Sequence, residues 1–215
     1  LQGWFIGSES GEALASILTG DKNPSGKLPF TWVNSLKEVG AHALNTYPGT
    51  WRKEGGAKTE GNIIDEEYKE GIYVGYRWTD KEHLKPAFAF GHGLSYTQFA
   101  ISNLRADKQQ MNADGSITFT VDVKNVGKRA GAETVQLYIH DVKASVDRPE
   151  KELKGFQKIF LNPGESKQVS ITIQKDALSF YDEASANWKA EPGTFEAWVG
   201  NAADNLKLKK SFELK

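Results

Sequence analysis

The stretch Ile117-Thr118-Phe119-Thr120-Val121-Asp122-Val123-Lys124-Asn125-Val126-Gly127 decides the fold. Ile117, Phe119, Val121 and Val123 alternate with Thr118, Thr120 and Asp122, and a strict period of two sends one set into a core and the other toward solvent. Asn125-Val126-Gly127 closes the run with turn chemistry. The same period returns on either side: Val135, Leu137 and Ile139, then Val169, Ile171 and Ile173, then Phe195, Ala197 and Val199. Asn162-Pro163-Gly164 and Glu191-Pro192-Gly193 supply further turns between them.

Weaker runs at Phe99 to Leu104, Leu153 to Phe160 and Leu206 to Leu214 bring the count to about seven short strands, the number expected of a fibronectin/immunoglobulin-type β-sandwich. The sequence therefore predicts a mostly β protein whose sandwich fills residues 98–215. Residues 1–97 have another character. Ala13, Leu14, Ile17 and Leu18 fall on one helical face, Ser8 or Ser10 can cap the helix, and Gly20 supplies its stop. Asn23-Pro24-Ser25-Gly26 is a turn, and Lys27-Leu28-Pro29-Phe30-Thr31-Trp32 is a short extended run that Pro29 confines to an edge or an irregular position. One helix and one strand cannot enclose a core, so this part reads as the C-terminal segment of an α/β sandwich domain. A connector over about residues 33–70 lacks periodicity, and a connection of that length is usually functional or lies on a partner surface. Ile72, Val74 and Tyr76, alternating with Tyr73, Gly75 and Arg77, predict a strand over 71–78.

Composition narrows the chemistry. Among 215 residues, 27 are basic and 28 acidic, split 10 and 12 up to Thr97 and 17 and 16 beyond it, so neither half carries the basic surplus that phosphate binding needs. No stretch approaches the ~20 apolar residues of a membrane span. Neither a nucleic-acid nor a membrane partner is expected. The absence of Cys removes disulfides, thiolate metal sites and a cysteine nucleophile. Leu1-Gln2-Gly3-Trp4 lacks both an initiating Met and the basic start of a signal peptide, which points to a chain cut from something longer and leaves a removed targeting segment open.

His42, His83, His92 and His140 are too far apart to share a helical face or a metal loop, so they read as surface or hydrogen-bonded rings and no metal or cofactor is expected. Gly91-His92-Gly93 opens no helix and does not continue as a phosphate loop. Asp65-Glu66-Glu67-Tyr68-Lys69-Glu70 holds several carboxylates, but neighbours on one segment do not face each other across a sugar, and a solvated charge run is the simpler account. Tyr47, Trp51 and Arg52 on the long connector are the candidate substrate-binding residues: an aromatic face suits the apolar side of a pyranose, and Arg suits its hydroxyls. The competing account is an aromatic that anchors the loop onto its own domain.

Several ordered motifs then meet a known family. Ser8-Glu9-Ser10-Gly11-Glu12-Ala13-Leu14-Ala15 leading to Leu18-Thr19-Gly20-Asp21-Lys22-Asn23-Pro24-Ser25-Gly26-Lys27-Leu28-Pro29-Phe30-Thr31 resembles the end of the second domain of family 3 glycoside hydrolases. Glu70-Gly71-Ile72-Tyr73-Val74-Gly75-Tyr76-Arg77 resembles it too, as does Phe88-Ala89-Phe90-Gly91-His92-Gly93-Leu94-Ser95-Tyr96-Thr97, with His92 where Tyr is usual. Arg148-Pro149-Glu150-Lys151-Glu152-Leu153-Lys154-Gly155-Phe156 and Leu161-Asn162-Pro163-Gly164-Glu165-Ser166 look like that family's fibronectin-like C-terminal domain.

The resemblance implies part of a retaining, exo-acting β-glycosidase, foremost a β-glucosidase acting on terminal non-reducing β-D-glucosyl residues of oligosaccharides. In that family the nucleophile Asp lies on a first domain and the acid/base Glu upstream of the first motif here, so both are expected outside this sequence. Asp21, Glu9 and Glu12 match the structural motif, not the catalytic ones. The implied partner is the N-terminal catalytic part, with β-linked oligosaccharide reached through it, and Tyr47, Trp51 and Arg52 at the rim of the parent site or a homodimer contact. The resemblance favours a periplasmic or secreted location. The alternative is a non-catalytic carbohydrate- or protein-binding β-sandwich module.

Overall fold

The computed structural model describes residues 1–51 and 64–215. In chain order its elements are α1 (Ser10–Thr19), α2 (Gly40–Ala43), the strands β1 (Thr50–Trp51) and β2 (Ile64–Asp65), and α3 (Tyr76–Lys81). There follow β3 (Phe99–Ala106), β4 (Gln110–Met111), β5 (Ser116–Asn125), β6 (Gly131–Asp141), β7 (Glu152–Leu161), β8 (Ser166–Gln174), β9 (Phe180–Asp182), β10 (Asn187–Lys189), β11 (Gly193–Gly200) and β12 (Leu208–Leu214).

The period-two runs become strands where expected. One sheet has the order β4-β12-β11-β6-β7 and the other β3-β5-β8. Their facing residues form one core: Ile117, Phe119, Val121 and Val123 of β5 meet Val135, Leu137 and Ile139 of β6 and Phe195, Ala197 and Val199 of β11, all essentially inaccessible. Phe212 of β12 ties the layers together, with ring centroids 5.3 Å from Phe119 and 5.8 Å from Phe195. Together these side chains supply the hydrophobic stabilisation of the sandwich. The two-residue β4 and the β9–β10 hairpin escape a periodicity reading because they are too short to show a period.

β6 departs from simple alternation. Its outward residues Thr134, Gln136 and Tyr138 are buried as fully as the inward ones, so both faces are covered. Tyr76 and Phe90 form the cover, with the Tyr76 ring edge-on to Tyr138 at 5.7 Å and tilted against Phe90 at 5.3 Å. The polar groups beneath are satisfied: Tyr138 donates its hydroxyl to Gln136 at 2.8 Å, and the Gln136 amide donates to the carbonyls of Asn201 at 2.7 Å and Gly91 at 3.3 Å. Gly91 has a φ of +77° and lies so close to Gln136 that a β-carbon would collide with its amide. Gly91→Ala is therefore expected to cost about 2–3 kcal/mol from left-handed strain and a disturbed buried hydrogen bond. Gly164→Ala, at the same φ of +77° with open space around it, should cost only the strain. Urea midpoints of the two variants check the difference.

The segment before the sandwich corrects two expectations. The predicted strand over 71–78 is a turn that runs into α3. Gly71 (φ +57°) and Gly75 (φ +65°) leave the extended region, and Tyr73 is buried while Ile72 and Val74 face solvent, opposite to the phase the alternation implied. At α1 the N-cap is Glu9, with no side-chain cap, in place of Ser8 or Ser10. Gly20 ends the helix in the left-handed region as expected, at φ 85°. α1 buries none of its residues, and Leu18 is 66% exposed. The Lys27–Trp32 run forms no strand; Trp32 and Phe88 make a single antiparallel bridge, with Leu28 and Gly91–His92 joined by hydrogen bonds beside it. Pro29, which lacks an N–H, interrupts the ladder.

Candidate functional site

Two features stand out: an aromatic surface, and a charged seam that holds the leading segment on the sandwich. The surface is a row of rings: Trp4 and Phe30 (5.4 Å), Phe30 and Trp32 (5.5 Å), Trp32 and Phe88 (6.4 Å), Phe88 and His92 (5.1 Å). Trp4, Trp32 and Phe88 remain largely exposed, as do Leu14 and Leu18 of α1. Exposed apolar surface of this extent marks an interaction face.

The seam is ionic. Arg148, whose side chain is buried, donates to Asp141 at 3.1 Å, to the Leu178 carbonyl at 2.9 Å and to Glu152 at 2.9 Å. Glu152 also meets Arg77 of α3 at 2.9 Å and Lys154 at 3.5 Å. Burial raises the Glu152 carboxyl, but the positive charges of Lys154, Arg148 and Arg77 together outweigh it and hold the group below its ordinary value. Asp80 of α3 pairs with Lys151 at 2.6 Å; there burial prevails and the carboxyl sits above its ordinary value. The Tyr73 hydroxyl donates to Asp147 at 2.5 Å and is pushed up to about 12 by burial and by that carboxylate. Tyr76 accepts the backbone N–H of Leu153 at 2.9 Å, which fixes α3 in register with β7. At the other end of the seam, Asn23 donates to the Ala130 carbonyl at 2.9 Å and Arg129 to the Gly20 carbonyl.

Of the three candidate substrate-binding residues, Arg52 lies outside the described residues. Tyr47, 55% exposed, sits with its ring 5.1 Å from His42. Trp51 is half-buried in β1, paired with Ile64 of β2. Of the remaining histidines, His92 packs on Phe88 at 5.1 Å, and His140 makes a 2.5 Å hydrogen bond with the Glu150 carbonyl and packs on Trp198 at 5.1 Å. Among the described residues no group of three His, Asp or Glu could hold a metal ion. In the acidic run, Glu67 pairs with Lys69 at 2.8 Å at the surface.

Two cavities accompany the seam. One, of about 110 Å3, is lined by Glu38 and Glu70 with Thr31, Tyr73 and Trp78. One Glu38 carboxyl oxygen accepts Asn34 N–H at 3.0 Å and the Glu38 carbonyl accepts the Trp78 indole at 3.0 Å, while Glu70 Oε2 and Thr31 Oγ1 are buried with no hydrogen-bond partner among the described residues. The other, of about 270 Å3, opens where the 23–27 turn, the 93–99 segment and β6 converge. The seam residues were missed as a site in the sequence because ion pairs between distant segments leave no local pattern. Arg77, Arg148 and Glu152 nevertheless lie inside the quoted motifs, and that concentration was the available signal.

Comparison with known proteins identifies the frame in which this geometry belongs. The glycosyl hydrolase family 3 C-terminal domain model matches residues 1–76 and the fibronectin type III-like domain model residues 133–203. The chain is 45% identical to beta-glucosidase BoGH3A of Bacteroides ovatus over 99% of its own length and 27% of that protein's. It is also 45% identical to thermostable beta-glucosidase B of Acetivibrio thermocellus, over 98% of the chain and 26% of the relative. Among solved structures, the GH3 beta-glucosidase of Bifidobacterium adolescentis superposes with a TM-score of 0.87 at 31% identity, over 99% of this chain and 29% of that one. Beta-glucosidase 3B of Thermotoga neapolitana, solved with α-D-glucose, gives 0.82 at 37% identity, over 95% and 26%. The chain thus spans about a quarter of the length of the curated relatives it matches. With both models matching in order and these relatives aligned along nearly its whole length, the chain belongs to the family 3 glycoside hydrolases and corresponds to their C-terminal portion.

Proposed function

We propose that the chain is the structural, non-catalytic C-terminal portion of a retaining, exo-acting β-glucosidase that releases terminal non-reducing β-D-glucosyl residues from oligosaccharides. In this reading residues 1–97 complete an α/β sandwich domain, residues 98–215 form the fibronectin-like domain, and the two catalytic carboxylates lie in an N-terminal part that docks on residues 1–97. The observation that carries the proposal is the exposed ring row from Trp4 to His92 beside an α1 that buries nothing, together with relatives, named as β-glucosidases, that are about four times longer. Retaining glycosidases need two carboxyl groups roughly 5 Å apart across the sugar. The buried carboxylates of the seam, Asp141 and Glu152, are instead held by Arg148. The test is hydrolysis of an aryl β-D-glucoside by the chain with and without a separately produced N-terminal part.

In the same reading Tyr47, Trp51 and Arg52 lie at the rim of the parent's active site or in a contact between two copies. Trp51→Ala in the full enzyme is expected to raise KM several-fold with little change in kcat, or to shift the oligomeric state. Steady-state kinetics and sedimentation check both, and a variant unchanged in each would remove these residues from the site.

A further inference from the structure

We propose that the cavity of about 270 Å3 at the seam is a binding site for a single neutral pyranose. The inference uses only this chain's residues and is independent of the catalytic reading. Position favours it first: ligand pockets gather where distinct structural units meet. This one lies between the turn before Lys27, the segment that leads into β3, and β6.

Charge narrows the ligand. The charged residues of the wall are Lys27 and Glu133, which pair at 2.8 Å with both side chains largely buried. Glu133 is further occupied by the Thr134 N–H at 2.7 Å and the Asn201 amide at 2.9 Å. No charge is left over for an anion or a cation, so the cavity suits a neutral molecule. Polar capacity does remain. Among the described residues the hydroxyl of Ser25 and the side-chain amide of Gln98 have no hydrogen-bond partner, whereas Ser95 and Thr97 donate into the seam, to Asn23 at 3.0 Å and Asn125 at 2.7 Å. Leu94 and Phe99 supply apolar wall. A ligand with hydroxyls at its edge and C–H surface on its face, of about ring size, satisfies both, and a pyranose has that form.

The walls are preformed. Asn23 accepts from Tyr96 N–H at 2.8 Å while donating to Ala130, and the Gly93 and Gly26 backbones are in such close approach that a β-carbon on Gly93 would collide with the Gly26 carbonyl. Little ordering is then required on binding.

Nitrogen-15 NMR titration of the chain with D-glucose tests the site. Saturable shifts are expected at the backbone amides of Ser25, Gly93 and Gln98, with a Kd on the order of 1 mM. Gln98→Ala, at an exposed position, should weaken binding about five- to tenfold, the worth of one hydrogen bond. Ser25→Phe, which fills the space, should abolish it while the remaining amide spectrum stays native. D-glucuronate should bind more weakly than glucose, since no free cation awaits it. Cellotriose that binds at least as well as glucose assigns the site to the end of a chain; cellotriose that fails where glucose binds assigns it to the free sugar. No saturation with glucose up to roughly 0.1 M, or equal affinity in Gln98→Ala and in a folded Ser25→Phe, overturns the proposal.

Discussion

Alone, the chain is expected to hydrolyse an aryl β-D-glucoside no faster than buffer, and mixing it with a separately produced N-terminal part is expected to raise the rate on the order of a millionfold or more. The physical argument is that the two-carboxylate mechanism cannot run at partial strength. One carboxyl must protonate the leaving oxygen while the other attacks the anomeric carbon from the opposite face. Several acidic residues of this chain are held in ion pairs. Glu67 is neutralised at the surface by Lys69, Glu133 by Lys27, Asp80 by Lys151, and Asp141 and Glu152 by Arg148. The recovered activity should depend on the exposed rings, so Trp32→Ala, which leaves the sandwich untouched, should weaken complementation more than it lowers the urea midpoint of the chain. Hydrolysis that co-elutes with the chain alone through successive columns would refute the assignment.

The second large effect concerns the seam. Arg148→Ala is expected to destabilise the fold by about 3 kcal/mol, because it leaves the buried Asp141 carboxylate without its cation and leaves Glu152 with only Arg77 and Lys154. It also frees the Leu178 carbonyl. For a chain of this size that loss corresponds to roughly 10 °C in Tm. Arg105→Ala is the control. Arg105 meets Asp122 at 3.1 Å on the open surface of the β3–β5 pair, where water screens the ion pair, so the urea midpoint of Arg105→Ala should stay close to that of the native chain.

The pH dependence follows with definite signs. Glu152 titrates below its ordinary value when folded, so its contribution is complete above the unfolded value of about 4.3 and is lost as the pH falls through the lower folded one. Asp80 titrates above its ordinary value when folded, so its contribution is largest in acid and fades as the pH rises through that value. The two oppose each other. Glu152→Gln should therefore lose less stability than the native chain between about pH 4.3 and the onset of acid unfolding, measured as urea midpoints along a pH series.

The sandwich was legible because its cause is local. Ile117 to Val123 and the three matching runs each need only a neighbouring strand on either side and one buried face, and period two records that requirement in the chain itself. The strand expected over 71–78 failed for the converse reason. Five or six residues of alternation cannot outweigh two glycines in the left-handed region and a Tyr73 drawn inward by Asp147. Tyr47, Trp51 and Arg52 illustrate the limit for sites: residue type suggested a sugar, but residue type alone does not say what surface a connector residue faces.

By itself, the order of residues determined the β-sandwich, the stop of α1 at Gly20, the balance of charge and the membership in a hydrolase family, each of which rests on spacing or on motifs within one segment. Only the tertiary structure decided that β6 is buried on both faces, that Arg148 joins Asp141 to Glu152, and that Lys27 and Glu133 neutralise each other across a cavity. These depend on contacts between residues as many as 106 positions apart, such as Lys27 and Glu133. Burial and pairing across such distances are properties of the packed molecule, and the same side chains read along the chain look like ordinary solvated charge.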